Sequence, residues 1–212
     1  MIVQERTTVS WLWYATETDR CIPLDRQAYP STMFAEQSYP FPEWACRSPN
    51  GGLHVNAHLD RIDLEIARAP DTQNEFTWSC EYTIFILSYD WLEEIEDLLR
   101  GSQIEPGNLL FKGQTLPRWR TLRSRRPPSL VAKEGYRAIC PICGYSCSII
   151  YEGECFSDHS ALNAPVIVND SGIFVREDIA IGRNLRTPRG AFEPSPVTFE
   201  PPPPKFRTTY LE

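Results

Sequence analysis

A concentration of cysteines between residues 136 and 160 restricts the folds open to this chain more than any other feature. Four of the seven cysteines and one of the three histidines lie between Tyr136 and His159. Within that stretch, Cys140-Pro-Ile-Cys143-Gly144 is a C-x-x-C-G knuckle. Two thiolates at this spacing can chelate one metal ion, and the glycine lets backbone N–H groups point at the sulfurs. A fold built around such a knuckle must bring further ligands to the same point.

The stretch itself contains enough cysteines to complete a metal site. Tetrahedral Zn²⁺ takes four ligands, and Cys140, Cys143, Cys147 and Cys155 can supply them, with His159 as an alternative to one cysteine. We therefore predict a structural zinc site. The competing interpretation is a set of reduced cysteines buried near a hairpin, because the usual second C-x-x-C pair is missing and the later spacings are not those of standard fingers.

Length and composition indicate a globular protein. The chain has 212 residues, of which 42% are hydrophobic and 12% aromatic, enough for one large domain or two small ones with a real core. No signal sequence or apolar span is evident, so we expect a cytoplasmic protein without membrane association, whose thiols stay reduced. An odd number of cysteines suits a metal better than a disulfide framework. The net charge of −7 argues against nucleic acid as the partner and favours a basic protein.

Local patterns predict a mixture of strands and few helices. Val9–Tyr14 and Trp78–Leu87 are rich in aromatic and β-branched residues, and each is predicted to form one strand. Ser88 can cap a helix over 88–100, with Gly101 as its left-handed stop. The buried stripe of that helix is predicted to be Trp91, Leu92, Ile95, Leu98 and Leu99.

The segment Leu53–Leu59 admits two interpretations. As a helix it would place His54 and His58 on one face as a metal pair, with Cys46 nearby. As a strand it alternates apolar and polar residues, and both histidines point outward. The strand interpretation fits better, because the alternation continues with one slip through Ile66.

Two parts of the chain share the same order and spacing of residue types. Ile84-Phe85 leads after sixteen positions to Gly101 and then to Ile104-Glu105-Pro106. Ile173-Phe174 leads after the same distance to Gly190 and then to Phe192-Glu193-Pro194, with a thinner helical stripe of Ile179, Ile181 and Leu185 between. We predict a duplicated strand–helix unit. The predicted organisation is a β- and loop-rich part over 1–75, an α+β part over 76–200 with a cysteine insertion over 136–160, and a proline-rich tail over 201–212.

An arginine-rich segment, residues 118–126, is the only dense positive patch. Arginines interleaved with Trp119 could stack on bases or grip phosphates. The alternative is a strand or loop whose arginines offset neighbouring carboxylates, and the acidic character of the chain favours it. The tail, Pro201–Pro204 followed by KFRTTYLE, has the composition of a polyproline spacer ending in a short adhesive peptide.

The knuckle and the second unit also carry a resemblance. Cys140-Pro-Ile-Cys143-Gly144, the strand Ile173-Phe174-Val175, Asp178 and the closing Gly190-Ala-Phe192-Glu-Pro194 resemble the double-CXXCG motif family of bacterial, myxobacterial-type immunity proteins. The resemblance covers about residues 80–200 and implies a small cytosolic α+β protein that binds and neutralises a toxin. The family carries two knuckles, whereas here the first is reduced to Cys46-Arg-Ser-Pro-Asn-Gly51, so the resemblance transfers only Cys140 and Cys143 as ligands.

These observations predict an α+β protein with a mixed or antiparallel sheet, few helices and a cysteine insertion of the zinc-knuckle type. The predicted function is non-enzymatic, as an immunity protein that neutralises a cognate bacterial toxin by direct binding. The alternative is a structural component of a larger phage or secretion-type assembly, with the proline-rich loop and tail as inter-subunit arms. A third and weaker hypothesis is an enzyme centred on Cys155, Asp158 and His159.

Overall fold

The computed structural model of the protein describes thirteen stretches of the chain. They are residues 9–15, 45–47, 53–55, 61–66, 69–79, 84–123, 130–132, 137–144, 146–148, 154–156, 159–169, 172–199 and 208–210.

Within these residues the chain forms sixteen strands, two α-helices and one 3-10 helix. In chain order they are β1 (Ser10–Tyr14), β2 (Ala45–Arg47), β3 (Leu53–Val55), β4 (Leu64–Ile66), β5 (Phe76–Ser79), β6 (Ile84–Ser88), α1 (Tyr89–Gly101), β7 (Gly107–Phe111), β8 (Gln114–Arg123), β9 (Leu130–Ala132), β10 (Arg137–Ile139), β11 (Ser146–Ser148), β12 (Glu154–Phe156), the 3-10 helix (His159–Asn163), β13 (Val166–Asn169), β14 (Gly172–Arg176), α2 (Glu177–Arg183), β15 (Ser195–Thr198) and β16 (Thr208–Tyr210).

Two larger sheets form the body of the described structure. One has five strands in the order β4-β7-β8-β6-β5, in which β4 and β7 are parallel and the other pairs antiparallel. The other has four antiparallel strands in the order β13-β14-β1-β15. Three smaller pairings, β2-β3, β9-β12 and β11-β10-β16, account for the remaining strands. The predicted α+β class with a mixed or antiparallel sheet and few helices is confirmed.

The largest hydrophobic cluster of the described residues joins the two larger sheets. Trp91 of α1 lies at its centre, with its ring 5.5 Å from that of Tyr14 and 6.1 Å from that of Phe76. The strand residues of this core come from both sheets: Tyr14, Phe76, Phe85, Leu87, Leu122, Val166, Val168, Ile173 and Val175. Helix α1 packs on β6 and β8 and also reaches β13, so neither sheet could bury its inner face without the other. No helix in the described part of the chain is both long and apolar enough to cross a membrane.

The predicted strand Trp78–Leu87 is wrong as a single element. Strand β5 ends at Ser79 and strand β6 begins at Ile84. These two residues are paired in an antiparallel register, so the chain reverses between them. The intervening CEYT contains no glycine, proline, asparagine or aspartate, the residues that usually announce a turn. A run rich in aromatic and β-branched residues, with none of these turn residues, therefore concealed a hairpin.

Helix α1 matches its prediction closely. The Ser88 hydroxyl accepts a hydrogen bond from the Trp91 backbone N–H, and all five residues of the predicted stripe are buried. The left-handed stop differs, however. Gly101 is still helical, and Gln103 has the positive φ of 58°, while the Ile104 N–H donates to the Leu99 carbonyl. The left-handed residue thus lies two positions beyond the glycine, which is the last helical residue.

Leu98→Ala is expected to destabilise the fold by about 2–3 kcal/mol, since Leu98 is buried at the rim of the core and its loss leaves a cavity. Urea denaturation of the purified variant measures the change. Glu93→Ala is the matched control, because Glu93 is exposed on the same helix and should cost less than about 0.5 kcal/mol. Glu94 would not serve, because it forms an ion pair with Arg186. Equal losses at positions 93 and 98 would contradict the assignment of the core face.

Helix α2 is shorter than its predicted counterpart and buries less. It ends at Arg183, because Asn184 takes the left-handed conformation, with φ 51° and ψ 46°, six residues before the predicted stop at Gly190. Ala180 is its only buried residue, Ile179 and Leu185 pack partly against the core, and Ile181 is 67% exposed. The predicted stripe is therefore wrong at Ile181.

The two strand–helix units occupy matching places in their sheets. In each unit a hairpin (β5-β6 or β13-β14) is followed along the chain by a helix and then by a strand (β7 or β15). That strand lies in the same sheet as the hairpin, with one other strand between them. In the first unit the strand between them is β8, which follows β7 in the chain. In the second unit it is β1, from the start of the chain. Buried Trp119 of β8 pairs with Ser88 at the end of β6, and buried Trp11 of β1 pairs with Arg176 at the end of β14. Duplication itself remains a prediction.

Candidate metal centre

Two distant segments of the chain converge at the C-x-x-C-G knuckle. Cys46 lies in β2, where it is paired with His54 of the neighbouring strand β3. Cys140 follows β10 directly, and Cys143 and Gly144 complete the turn that leads towards β11. Because β10 and β11 pair in an antiparallel register, the knuckle is the end of a hairpin. The site is thus supplied by two hairpins, one from each half of the chain.

The knuckle has the backbone that its glycine predicts. The Gly144 N–H donates to the Cys140 carbonyl at 2.8 Å, and Gly144 has a φ of 72°. This left-handed conformation suits glycine and strains most other residues. The turn directs both sulfurs inward: Cys140 and Cys143 are buried, while Ile142 between them is 59% exposed.

Three sulfurs meet at this point. The Sγ atoms of Cys46, Cys140 and Cys143 all lie within 4.8 Å of one another, and that of Cys46 is 4.0 Å from that of Cys140. All three cysteines are buried and none forms a disulfide. Sulfurs bound at about 2.3 Å to a tetrahedral Zn²⁺ are separated by about 3.8 Å. The described cluster could therefore hold a metal ion after only a small contraction.

The surroundings of Cys46 disfavour its thiolate form unless a cation is present. Burial, together with the hydrogen bonds and negative charges of Cys143 and Cys140, raises the pKa of Cys46 to about 12. Cys46 therefore retains its proton when no cation is bound. A divalent cation reverses this balance, because it stabilises the deprotonated sulfur that binds it.

Of the four predicted ligands, the structure brings Cys140 and Cys143 together. Cys147 is placed in β11, opposite Ala138, and Cys155 in β12, opposite Val131, but their side chains lie outside what the structure describes. Their role as ligands stays a prediction. Cys46 was absent from the predicted ligand set, although it stands where the first knuckle of the resembled family would be. Its only sequence signal was a single cysteine before Asn50-Gly51, 94 residues from Cys140.

The histidine hypotheses fall mainly outside the described residues. His54 lies in a strand, as the favoured interpretation has it, and His58 is outside the described residues. His159 opens the 3-10 helix, but its side chain and the whole of Asp158 are outside them too. The proposed Cys155, Asp158 and His159 centre is thus neither supported nor contradicted by the geometry.

The arginines at the start of the positive patch have partners within the chain. They belong to β8, where Arg118 lies 3.9 Å from the Asp90 carboxylate, and the Arg120 guanidinium lies 5.3 Å from the ring centre of Tyr89. Both contacts are with the first turn of α1. This arrangement agrees with the strand interpretation, in which the arginines offset nearby carboxylates. For Arg118 the carboxylate is that of Asp90. Residues 124–126 are outside the described part.

Comparison with known proteins adds no further constraint on the site. No family model matches this chain, nor does any curated protein or solved structure.

Proposed function

We propose that Cys46, Cys140 and Cys143 are three of the four ligands of a structural Zn²⁺. The observation that carries this proposal is the convergence of three buried, unoxidised sulfurs from two distant segments. Thiolate is a ligand that zinc favours in closed, four-coordinate structural sites. The fourth ligand comes from Cys147, Cys155 or His159, the remaining metal-binding residues of the same stretch. A reducing compartment such as the cytoplasm keeps such thiols available.

A zinc ion here would act on the fold and not on a substrate. It would join the β2-β3 hairpin to the β10-β11 hairpin, two short elements with little backbone pairing of their own. Isolated two-stranded hairpins are marginal in water. Metal binding supplies the free energy that such small elements lack.

For the biological role, we propose a non-enzymatic protein that binds and neutralises a cognate bacterial toxin. The support is the C-x-x-C-G knuckle with the second-unit residues that resemble immunity proteins, together with the net charge of −7. Exposed carboxylates on α1, among them Asp90, Glu93 and Glu96, contribute to that charge. An acidic surface suits a basic toxin, because complementary charge speeds the encounter of two proteins.

The first experiment is recovery of the partner. The full chain, with an affinity tag, is used for a pull-down from its native host, followed by mass spectrometry. A basic toxin that the protein inhibits supports the proposal. Phage or secretion particle subunits would support the alternative, a structural component of an assembly. A toxin gene beside the coding sequence would be an independent indication.

Reversing three exposed acidic charges should slow association with that partner. Glu93→Lys, Glu96→Lys and Glu193→Lys each change the formal charge by two, so the triple variant moves it from −7 to −1. We expect the association rate to fall about tenfold or more at low ionic strength, with the deficit shrinking as salt screens both proteins. Stopped-flow or surface-based kinetics against salt concentration measures this. A rate that is unchanged at all ionic strengths would contradict charge-guided binding.

Binding and catalysis are separated by three further variants. A protein that acts by covering its partner should keep protecting cells after Cys155→Ala, Asp158→Asn or His159→Ala, provided that each variant folds. Loss of protection by folded His159→Ala, with partner binding retained, would require the enzyme hypothesis instead.

A further inference from the structure

The zinc knuckle and the C-terminus of the chain share one small sheet. Strand β10 lies between β11 and β16, and β16, formed by Thr208–Tyr210, is the last element that the structure describes. The pairing of β16 with β10 is parallel, with Arg137 opposite Thr208 and Ile139 opposite Tyr210. The C-terminal segment thus adds a strand to the edge of the knuckle hairpin.

The backbone pairing described for this added strand is short. It spans three residues, and parallel pairs are slightly weaker than antiparallel ones. The net gain from a backbone hydrogen bond is similar in size to the cost of ordering one residue. Backbone pairing of this length therefore holds the strand well only when the partner strand is already rigid.

The rigidity of β10 depends on the metal ligands. Ile139, the last residue of β10, is followed immediately by Cys140, and the Cys140 carbonyl accepts the hydrogen bond that closes the knuckle. On its other side, within the described residues, β10 pairs with three-residue β11, which lies beyond the same knuckle. Fixing Cys140 and Cys143 on one ion therefore fixes the end of the strand to which β16 binds.

We propose that metal binding at Cys46, Cys140 and Cys143 locks the C-terminal strand onto β10, and that metal removal releases it. The mode is β-strand addition, with the chain's own C-terminus as the added peptide. Strand β16 is thus a metal-dependent docked element. This proposal rests on the zinc centre proposed above, and it adds a consequence at the far end of the chain.

Trypsin provides a direct test on the full-length protein. Lys205 and Arg207 immediately precede β16, so cleavage there cuts the strand off as a C-terminal peptide beginning at Phe206 or Thr208. Purified protein is assayed for zinc and then digested as isolated and after chelation and desalting, with intact mass spectrometry following the release. We expect chelation to speed release about tenfold or more, because cleavage follows the population of the open form. Restoring Zn²⁺ should restore the slow rate.

Two controls distinguish local release from other causes. Cleavage after Arg183, which ends α2 and pairs with Asp97 at 2.7 Å, reports opening of the main fold and should stay slow. Thr209→Pro removes a backbone donor from β16 without touching a ligand, so it should release the tail rapidly while zinc content stays at about one equivalent.

The outcomes separate this proposal from the zinc centre. Purified protein without metal would overturn both. Bound zinc with tail release that chelation does not change would overturn the lock and leave the zinc centre standing. Equal acceleration at Arg183 and at the tail would also overturn it, since the metal would then hold the whole fold and not this strand.

Discussion

Cys143→Ser is expected to reduce bound zinc from about one equivalent per chain to less than about a tenth, and to lower the melting temperature. Serine keeps the size of the side chain, but its hydroxyl does not ionise at neutral pH, so the ion loses a charged ligand at a buried position. Cys46→Ser should have the same effect, although Cys46 is 97 residues away in sequence. Elemental analysis of gel-filtered protein and thermal unfolding with and without a chelator measure both quantities.

A neighbouring residue supplies the matched control for this prediction. Ile142 lies in the same turn, between the two cysteines, and its side chain is 59% exposed. Ile142→Ser should leave the zinc content unchanged, because it alters the turn surface and removes no ligand. Single substitutions Cys147→Ser, Cys155→Ser and His159→Ala then identify the fourth ligand as the one whose loss also empties the site. Wild-type protein that is fully folded and metal-free would refute the zinc centre.

Glu75→Gln is expected to destabilise the protein by about 3–4 kcal/mol at neutral pH. Glu75 is only 3% exposed, and its carboxylate accepts hydrogen bonds from Arg186 Nη1 at 2.5 Å, Arg186 Nη2 at 3.1 Å and the Arg189 backbone N–H at 3.0 Å. Arg186 in turn pairs with Glu94 of α1 at 2.7 Å. Glutamine would place an amide N–H group among these donors. Removing the charge of a buried carboxylate that several donors surround is among the costlier single changes, although the two arginine side chains are partly exposed.

The same network predicts how stability changes in acid. Burial opposes ionisation of Glu75, but the hydrogen bonds from Arg186 and Arg189 outweigh it and lower the pKa of Glu75 from 4.5 to about 2. A pKa lowered by folding means that the charged form stabilises the native state. This contribution, about 3 kcal/mol, is complete above pH 4.5 and is lost as the pH falls towards 2. Urea unfolding between pH 5 and 2 should show this loss in the wild type and not in Glu75→Gln.

Glu93→Gln is the control for both measurements, because Glu93 is exposed on α1 and forms none of these contacts. It should unfold like the wild type at every pH. If Glu75→Gln matched Glu93→Gln in stability at pH 7, the Glu75 network would have no net stabilising role.

The local elements that the sequence alone determined are those whose signals lie within a few residues. The serine cap and the five-residue apolar stripe determined α1, because a helix is closed by bonds between near neighbours and faces the core at a period of 3.6. The aromatic run at 9–14 likewise predicted β1. The knuckle Cys140 to Gly144 could be recognised from the sequence for the same reason, because its two ligands and its glycine are four residues apart at most.

The tertiary structure decided which distant segments meet. Nothing near Cys46 marks it as the companion of Cys140, because the pairing depends on how two hairpins pack and not on spacing. The place of β1 between β14 and β15, and the burial of Glu75 against Arg186, are also products of chain segments more than a hundred residues apart. A sequence pattern records the period of one element, whereas a buried charge or a three-sulfur site depends on several elements at once. For that reason the sequence indicated a metal knuckle, and only the fold supplied its third ligand.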